Sequence, residues 1–222
     1  MKKTTKVWLT VLCAVMLTVG AVFGTLAYLT DDDSVVNTFT VGKVYISLDE
    51  ADVKTDGTLD TNDRVTENEY HLIPGNTYIK DPTIYVDDES EDCYLFVKVE
   101  NGIKDIETTE TGKTIAAQME ALNWVAVPNE KDVYVLAKGE GDEKFKYTVS
   151  KGATVEVFKN FTIDGDKVVN VRDGETVPNG KIDLTAYEEE EAKVKVTAYA
   201  VQADGFDTSL AAWAATFGAP QP

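Results

Sequence analysis

Apolar and polar residues recur with a period of two in several segments of this chain, the spacing of half-buried β-strands. Val44, Ile46 and Leu48 alternate with Tyr45 and Ser47. Near the other end, Val194, Val196, Ala198 and Ala200 share one face against Lys193, Lys195 and Thr197, which predicts a half-buried antiparallel strand within residues 192–203. Residues 93–100 are aromatic and β-branched and form a strong strand candidate. Further strands are expected at 133–137, 145–150 and 154–163. Residues 70–86 read as two strands around Pro74-Gly75-Asn76, where proline fixes φ and glycine accepts a positive one.

Two segments have helical spacing instead. Residues 113–124 bring Ile115, Met119 and Leu122 to one side. Residues 207–217 are alanine-rich and start on Asp207-Thr208-Ser209, a reasonable cap. Residues 49–69, rich in Asp, Asn, Thr and Gly, read as a loop. So do residues 164–180, with hairpin turns expected at Asp164-Gly165-Asp166 and Arg172-Asp173-Gly174-Glu175. Many strands separated by turn residues predict an all-β fold over residues 44–222: a jelly-roll-like antiparallel β-sandwich with acidic loops and short decorating helices.

The N-terminus follows a different pattern. Lys2, Lys3 and Lys6 precede residues 7–27, which carry no charge. With small residues at Thr25 and Ala27, this is the layout of a signal peptide over residues 1–27, cleaved between Ala27 and Tyr28. The run is also long enough to span a bilayer as an uncleaved anchor. Either way the lysines stay on the cytoplasmic side and the rest of the chain is placed outside. Membrane contact is therefore expected only through this segment.

Charge and cysteine content narrow the function. The formal net charge is −18 over 222 residues, which argues against nucleic acid and anionic lipid as partners. Of the two cysteines, Cys13 lies in the apolar run, so removal of that run leaves Cys93 without a disulfide partner. Cys93 is expected to be a buried structural thiol. The single histidine, His71, is expected on a strand surface, since a catalytic zinc site needs more histidines than one. No nucleophile elbow or phosphate-cradling glycine loop occurs, and the chain is expected to be non-enzymatic. No cofactor is implied beyond calcium, for which Asp52, Asp56, Asp60 and Asp63 around Gly57 are the candidate ligands. Against that, Lys54 occupies a ligand position of the EF-hand pattern and no glutamate closes the loop. Asn160-Phe161-Thr162 is a formal glycosylation sequon. The aromatics Tyr94, Phe96 and Phe158 fall within strand patterns and are expected in the core rather than stacked on sugar.

Several blocks resemble one known family in order along the chain. They are Gly24-Thr25-Leu26-Ala27-Tyr28-Leu29-Thr30-Asp31, Asn37-Thr38-Phe39-Thr40-Val41-Gly42, Leu72-Ile73-Pro74-Gly75-Asn76 and the strand from Cys93. Asn123-Trp124, Val133-Tyr134-Val135 and the stretch from Ala198 to Phe206 follow. Together these are similar to the TasA/camelysin family of Gram-positive bacteria. The resemblance implies export with a dedicated SipW-type signal peptidase, a jelly-roll-like sandwich, and self-association into surface or biofilm-matrix fibres. It also implies assembly by strand exchange: the extended segment 28–43 of one subunit would complete a sheet of the next, burying Val35, Val36, Phe39 and Val41. The insert around residues 138–190 departs from the compact family pattern. A secreted binding module (adhesin, glycan- or calcium-binding) is the alternative. The metallopeptidase activity ascribed to camelysins stands third, because no zinc motif is present.

Overall fold

The strand β5 (Cys93–Asn101) is apolar from Cys93 to Val97 and again at Val99, and a strand of that kind requires a layer on each of its faces. The computed structural model describes residues 43–171, 175–186 and 192–218, and supplies both layers. One antiparallel sheet holds β1 (Ile46–Val53), β2 (Leu59–Val65), β4 (Thr83–Val86) and β8 (Thr154–Glu156) in the order β2-β1-β4-β8. The other holds β5 with β6 (Trp124–Ala126), β7 (Val133–Leu136) and β12 (Val194–Gln202) in the order β12-β5-β7-β6. Two-stranded pieces complete the set: β3 (Thr77–Ile79) antiparallel to β9 (Asn160–Thr162), and β10 (Val168–Val169) parallel to β11 (Ile182–Asp183). Helices α1 (Ile115–Ala121) and α2 (Ser209–Phe217) are the short additions to an all-β sandwich.

Side-chain alternation sorts β5 between two cores. Cys93, Leu95, Val97 and Val99 enter the first core, where they meet Ile84 and Val86 of β4. Tyr94 and Phe96 enter the second core with Val133 and Val135 of β7 and with Ala212 and Trp213 of α2. β7 divides in the same way, Leu136 facing the first core and Val135 the second. β5 pairs with β12 along its whole length, from Cys93 opposite Gln202 to Asn101 opposite Val194. Tyr94, Phe96 and Phe158 are all buried, the first two from β5 and Phe158 from the turn between β8 and β9 rather than from a strand.

Several expectations are corrected. Residues 49–69 are not a loop: β1 continues to Val53 and β2 returns antiparallel beside it. Tertiary contacts hold this hairpin. Arg64 spans Asp49 (2.7 Å) and Asp81 (2.8 Å), and Lys80 pairs with the buried Glu50 at 2.6 Å. At its turn, Gly57 adopts φ +81° and lies against Tyr78, where a Cβ would come within 2.5 Å of the Tyr78 ring. Residues 145–150 are not a strand. Gly141–Lys146 form a 3-10 helix, and only Val149 bridges to Cys93. The stretch 154–163 splits into β8 and β9, which join different sheets because Val157 and Phe158 both turn into the core between them. Pro74-Gly75 does turn, with Gly75 at φ +82°, but residues 70–73 before it are not a strand: the Ile73 amide donates to the Tyr78 hydroxyl at 2.6 Å, and β3 and β4 both follow the turn and pair with other strands. Asp164 caps a turn by accepting from the Asp166 amide, but β10 after it pairs with β11 and makes no hairpin with β9. Residues 172–174 of the other expected hairpin lie outside the described residues.

The layering sets the expected response to mutation. Leu95→Ala and Phe96→Ala, one on each face of β5, should each cost about 2–5 kcal/mol. Gly57→Ala should cost about 1–3 kcal/mol through strain and contact with Tyr78. Asp63→Ala, on exposed β2, should change stability by less than about 0.5 kcal/mol. Chemical denaturation checks the ranking, and equal losses at all four positions would contradict it.

Candidate functional site

Strand edges are the first places to look for a site in a sandwich, since an edge presents unpaired main-chain groups. β6 and β8 are edges of three residues each. β2 has seven residues, exposed along almost its entire length and charged. β12 differs from all three. It has nine residues, and β5 is its one sheet neighbour among the described residues. The Gly102 amide donates to the Lys193 carbonyl (2.8 Å) and the Ala203 amide to the Asp92 carbonyl (2.9 Å). With the strict antiparallel register between them, these bonds direct the amides of Lys195, Thr197, Tyr199 and Val201 toward β5. The amides of Val194, Val196, Ala198 and Ala200 therefore point away from the sheet. Their side chains pack on the first core and are only half-buried, so the core is incompletely covered along this edge. A nine-residue ladder above an open apolar flank suits the addition of one more strand.

The acidic candidates are distributed along the β1–β2 hairpin. Asp52 on β1 accepts from the Thr61 hydroxyl at 2.7 Å. Asp56 sits in the turn, where the Thr58 hydroxyl (2.6 Å) and amide (2.9 Å) hold its carboxyl below the ordinary value. Asp60 on β2 lies 3.9 Å from Lys54, and the Asp63 amide donates to the Thr61 hydroxyl. Among the described residues no group of three or more His, Cys, Asp or Glu is gathered as a metal ion would need. His71 is exposed but not on a strand: its amide donates to the Thr55 carbonyl, and its own carbonyl accepts from the Tyr78 hydroxyl. Cys93 is fully buried, and burial, with Asp92 adding to it, pushes its thiol up to about 11. A thiol in that state is a poor nucleophile at neutral pH. Asn160 of the sequon is half-buried, with its main-chain amide and carbonyl both bonded to the Gln118 side chain.

Two buried acids were not singled out by the sequence. Glu50 is held by Lys80 and by the Asn68 amide at 2.8 Å. Glu107 follows β5 and accepts from the Ile115 amide at 2.5 Å, the first residue of α1, and from Asn101 at 3.2 Å. Burial is the dominant influence on Glu107 and raises its carboxyl, against those hydrogen bonds and the nearby Lys167 and Lys104. Acidic residues are so frequent in this chain that neither stands out by type or spacing; only the topology identifies them. The signal segment, the cleavage pair Ala27 and Tyr28, and the donor candidates Val35, Val36, Phe39 and Val41 lie outside the described residues. Within the described residues no helix is long and apolar enough to cross a membrane. No protein-family model, no curated protein and no solved structure matches the chain.

The Glu107 environment has a pH consequence. A carboxyl raised in the folded state binds more protons there than in the unfolded chain. Stability contributed by its protonated form is therefore present at low pH and declines as pH rises through the ordinary value of 4.5 toward the raised one. Glu107→Gln should remove that part of the slope, so the variant loses less stability than the parent between about pH 4.5 and 7. Denaturation midpoints measured across that range check this, and parallel curves would contradict it.

Proposed function

We propose that this chain is a secreted structural protein of the cell surface or biofilm matrix, whose subunits join when the extended N-terminal segment of one copy pairs with β12 of the next. The observation that carries this is the β12 edge: outward-pointing amides at Val194, Val196, Ala198 and Ala200 above half-buried core side chains. The segment 28–43 has the matching composition. Val35, Phe39 and Val41 fall on one face of an extended chain, and Asp31, Asp32 and Asp33 would remain in water. Removal of residues 1–27 would free that segment.

Such a contact is head-to-tail. The donor and acceptor surfaces are different parts of the chain, so the interaction repeats along a fibre instead of closing on itself. The added strand would cover the open flank of the first core and extend the β12-β5-β7-β6 sheet, in keeping with a jelly-roll-like arrangement. The resemblance to TasA and camelysin proteins supports the same mode of assembly and export by a SipW-type peptidase.

Protein lacking residues 1–27 should form fibres visible by negative-stain electron microscopy and should sediment as large species. Deletion of residues 28–41 as well should leave a folded monomer. Ala198→Pro removes one outward N–H without touching the β5 ladder, and should block assembly while leaving the fold intact. Fibres that persist in both variants would overturn the proposal, as would a monomer in the undeleted protein.

A further inference from the structure

The second core ends abruptly along β5. Tyr94 and Phe96 lie under α2, but the next residues on that face, Lys98 and Glu100, are charged and partly exposed. At this boundary a cleft of about 410 Å³ opens beside the last turn of α2. One wall is aromatic. Phe217 is 47% exposed, and its ring meets that of Tyr199 edge-to-face, with centroids 5.4 Å apart and planes at 70°. Trp213 backs both rings and is itself fixed by donation from its indole N–H to Glu130 at 3.1 Å. The opposite wall comes from the β6–β7 loop, with Lys131 and Asp132 lining the cleft. That loop contains two non-glycine residues with positive φ, Asn129 (62°) and Asp132 (59°). The Asp132 carbonyl is anchored by the Val99 amide at 2.9 Å.

The chemistry of these walls selects a ligand class. Lys98 is paired with Glu100 at 3.1 Å, which leaves Lys131 to work against an organic cation, although the aromatic corner alone would suit one. Glu100, Glu130 and Asp132, in a chain of charge −18, disfavour an anion. What remains is a neutral molecule that both donates and accepts hydrogen bonds and carries an apolar face. We propose that this cleft is a carbohydrate subsite, in which a pyranose lays its C–H face on Phe217 and Tyr199 and its hydroxyls bond to Lys131 and Asp132. It stands apart from β12-edge pairing: the side chains involved lie on the α2 face of the sheet, whereas assembly would use the outward amides and the opposite face.

Calorimetric titration of the full chain with cellotriose and with N-acetylglucosamine trisaccharide tests this. At least one sugar should bind at a single site with a Kd of about 1 mM or tighter. Phe217→Ala should weaken binding about tenfold or more, and Asp132→Asn several-fold, with the melting temperature close to that of the parent protein. Phe217 is exposed at a helix end, so its loss leaves the core intact. Failure of both sugars to bind would overturn the proposal. So would binding unchanged by Phe217→Ala, or saturable binding of tetramethylammonium at this cleft in place of sugar.

Discussion

Burial of β5 on both faces is the constraint from which the rest of the structure follows. A strand reading Cys-Tyr-Leu-Phe-Val cannot lie at a surface, so it must have a sheet on one side and further cover on the other. The β2-β1-β4-β8 sheet supplies the first layer and α2 the second. α2 has only nine residues, and at ~1.5 Å per residue it cannot cover the full length of β5. Where it stops, β5 changes from Phe96 to Lys98 and Glu100, and the cleft lies at that change. β5 also needs a neighbour on each side. β7 and β12 fill those positions, and β12 is the outer strand among the described residues.

The edges are treated unequally. β2 is a fully solvated strand whose side chains are mostly polar, and it is fastened by Arg64 to Asp49 and Asp81 instead of by apolar packing. Its side chain is partly exposed, so each of these ion pairs is screened, but the guanidinium also donates to the Asp49 and Asp81 carbonyls. The buried Glu50–Lys80 pair lies under the same hairpin, and removal of one partner would leave the other charge buried and uncompensated. β12 has no such polar dressing on its core side: Val194, Val196, Ala198 and Ala200 are all apolar and half-buried. That contrast separates an edge protected from pairing from one suited to it.

How much of this was legible in the sequence depended on whether a residue's role came from its own strand or from its neighbours. β5, β12 and α2 declare themselves by period and composition, and the structure places them within a residue or two of the expected bounds. β2 did not, because a strand solvated on both faces has no alternation to read and its residues, Leu-Asp-Thr-Asn-Asp-Arg-Val, resemble a loop. The segment at 145–150 carries two aromatic residues, Phe145 packing onto the second core from a 3-10 turn and Tyr147 onto the first, and composition alone does not tell that from a strand. Residues 154–163 looked continuous because nothing local marks the inward turn at Val157 and Phe158. The cleft was illegible for a further reason. Its residues come from β5, the β6–β7 loop, β12 and α2, spread over more than half of the described chain, and only the fold brings them together.

Residue-resolved hydrogen exchange along β12 tests the open edge most directly. In the monomer, the amides of Thr197 and Tyr199 should be protected by β5, and those of Val196, Ala198 and Ala200 should exchange as freely as solvent-facing groups. In assembled protein all five should be protected. If the Val196, Ala198 and Ala200 amides are already protected in the monomer, or stay unprotected in fibres, β12 is not the surface on which subunits meet.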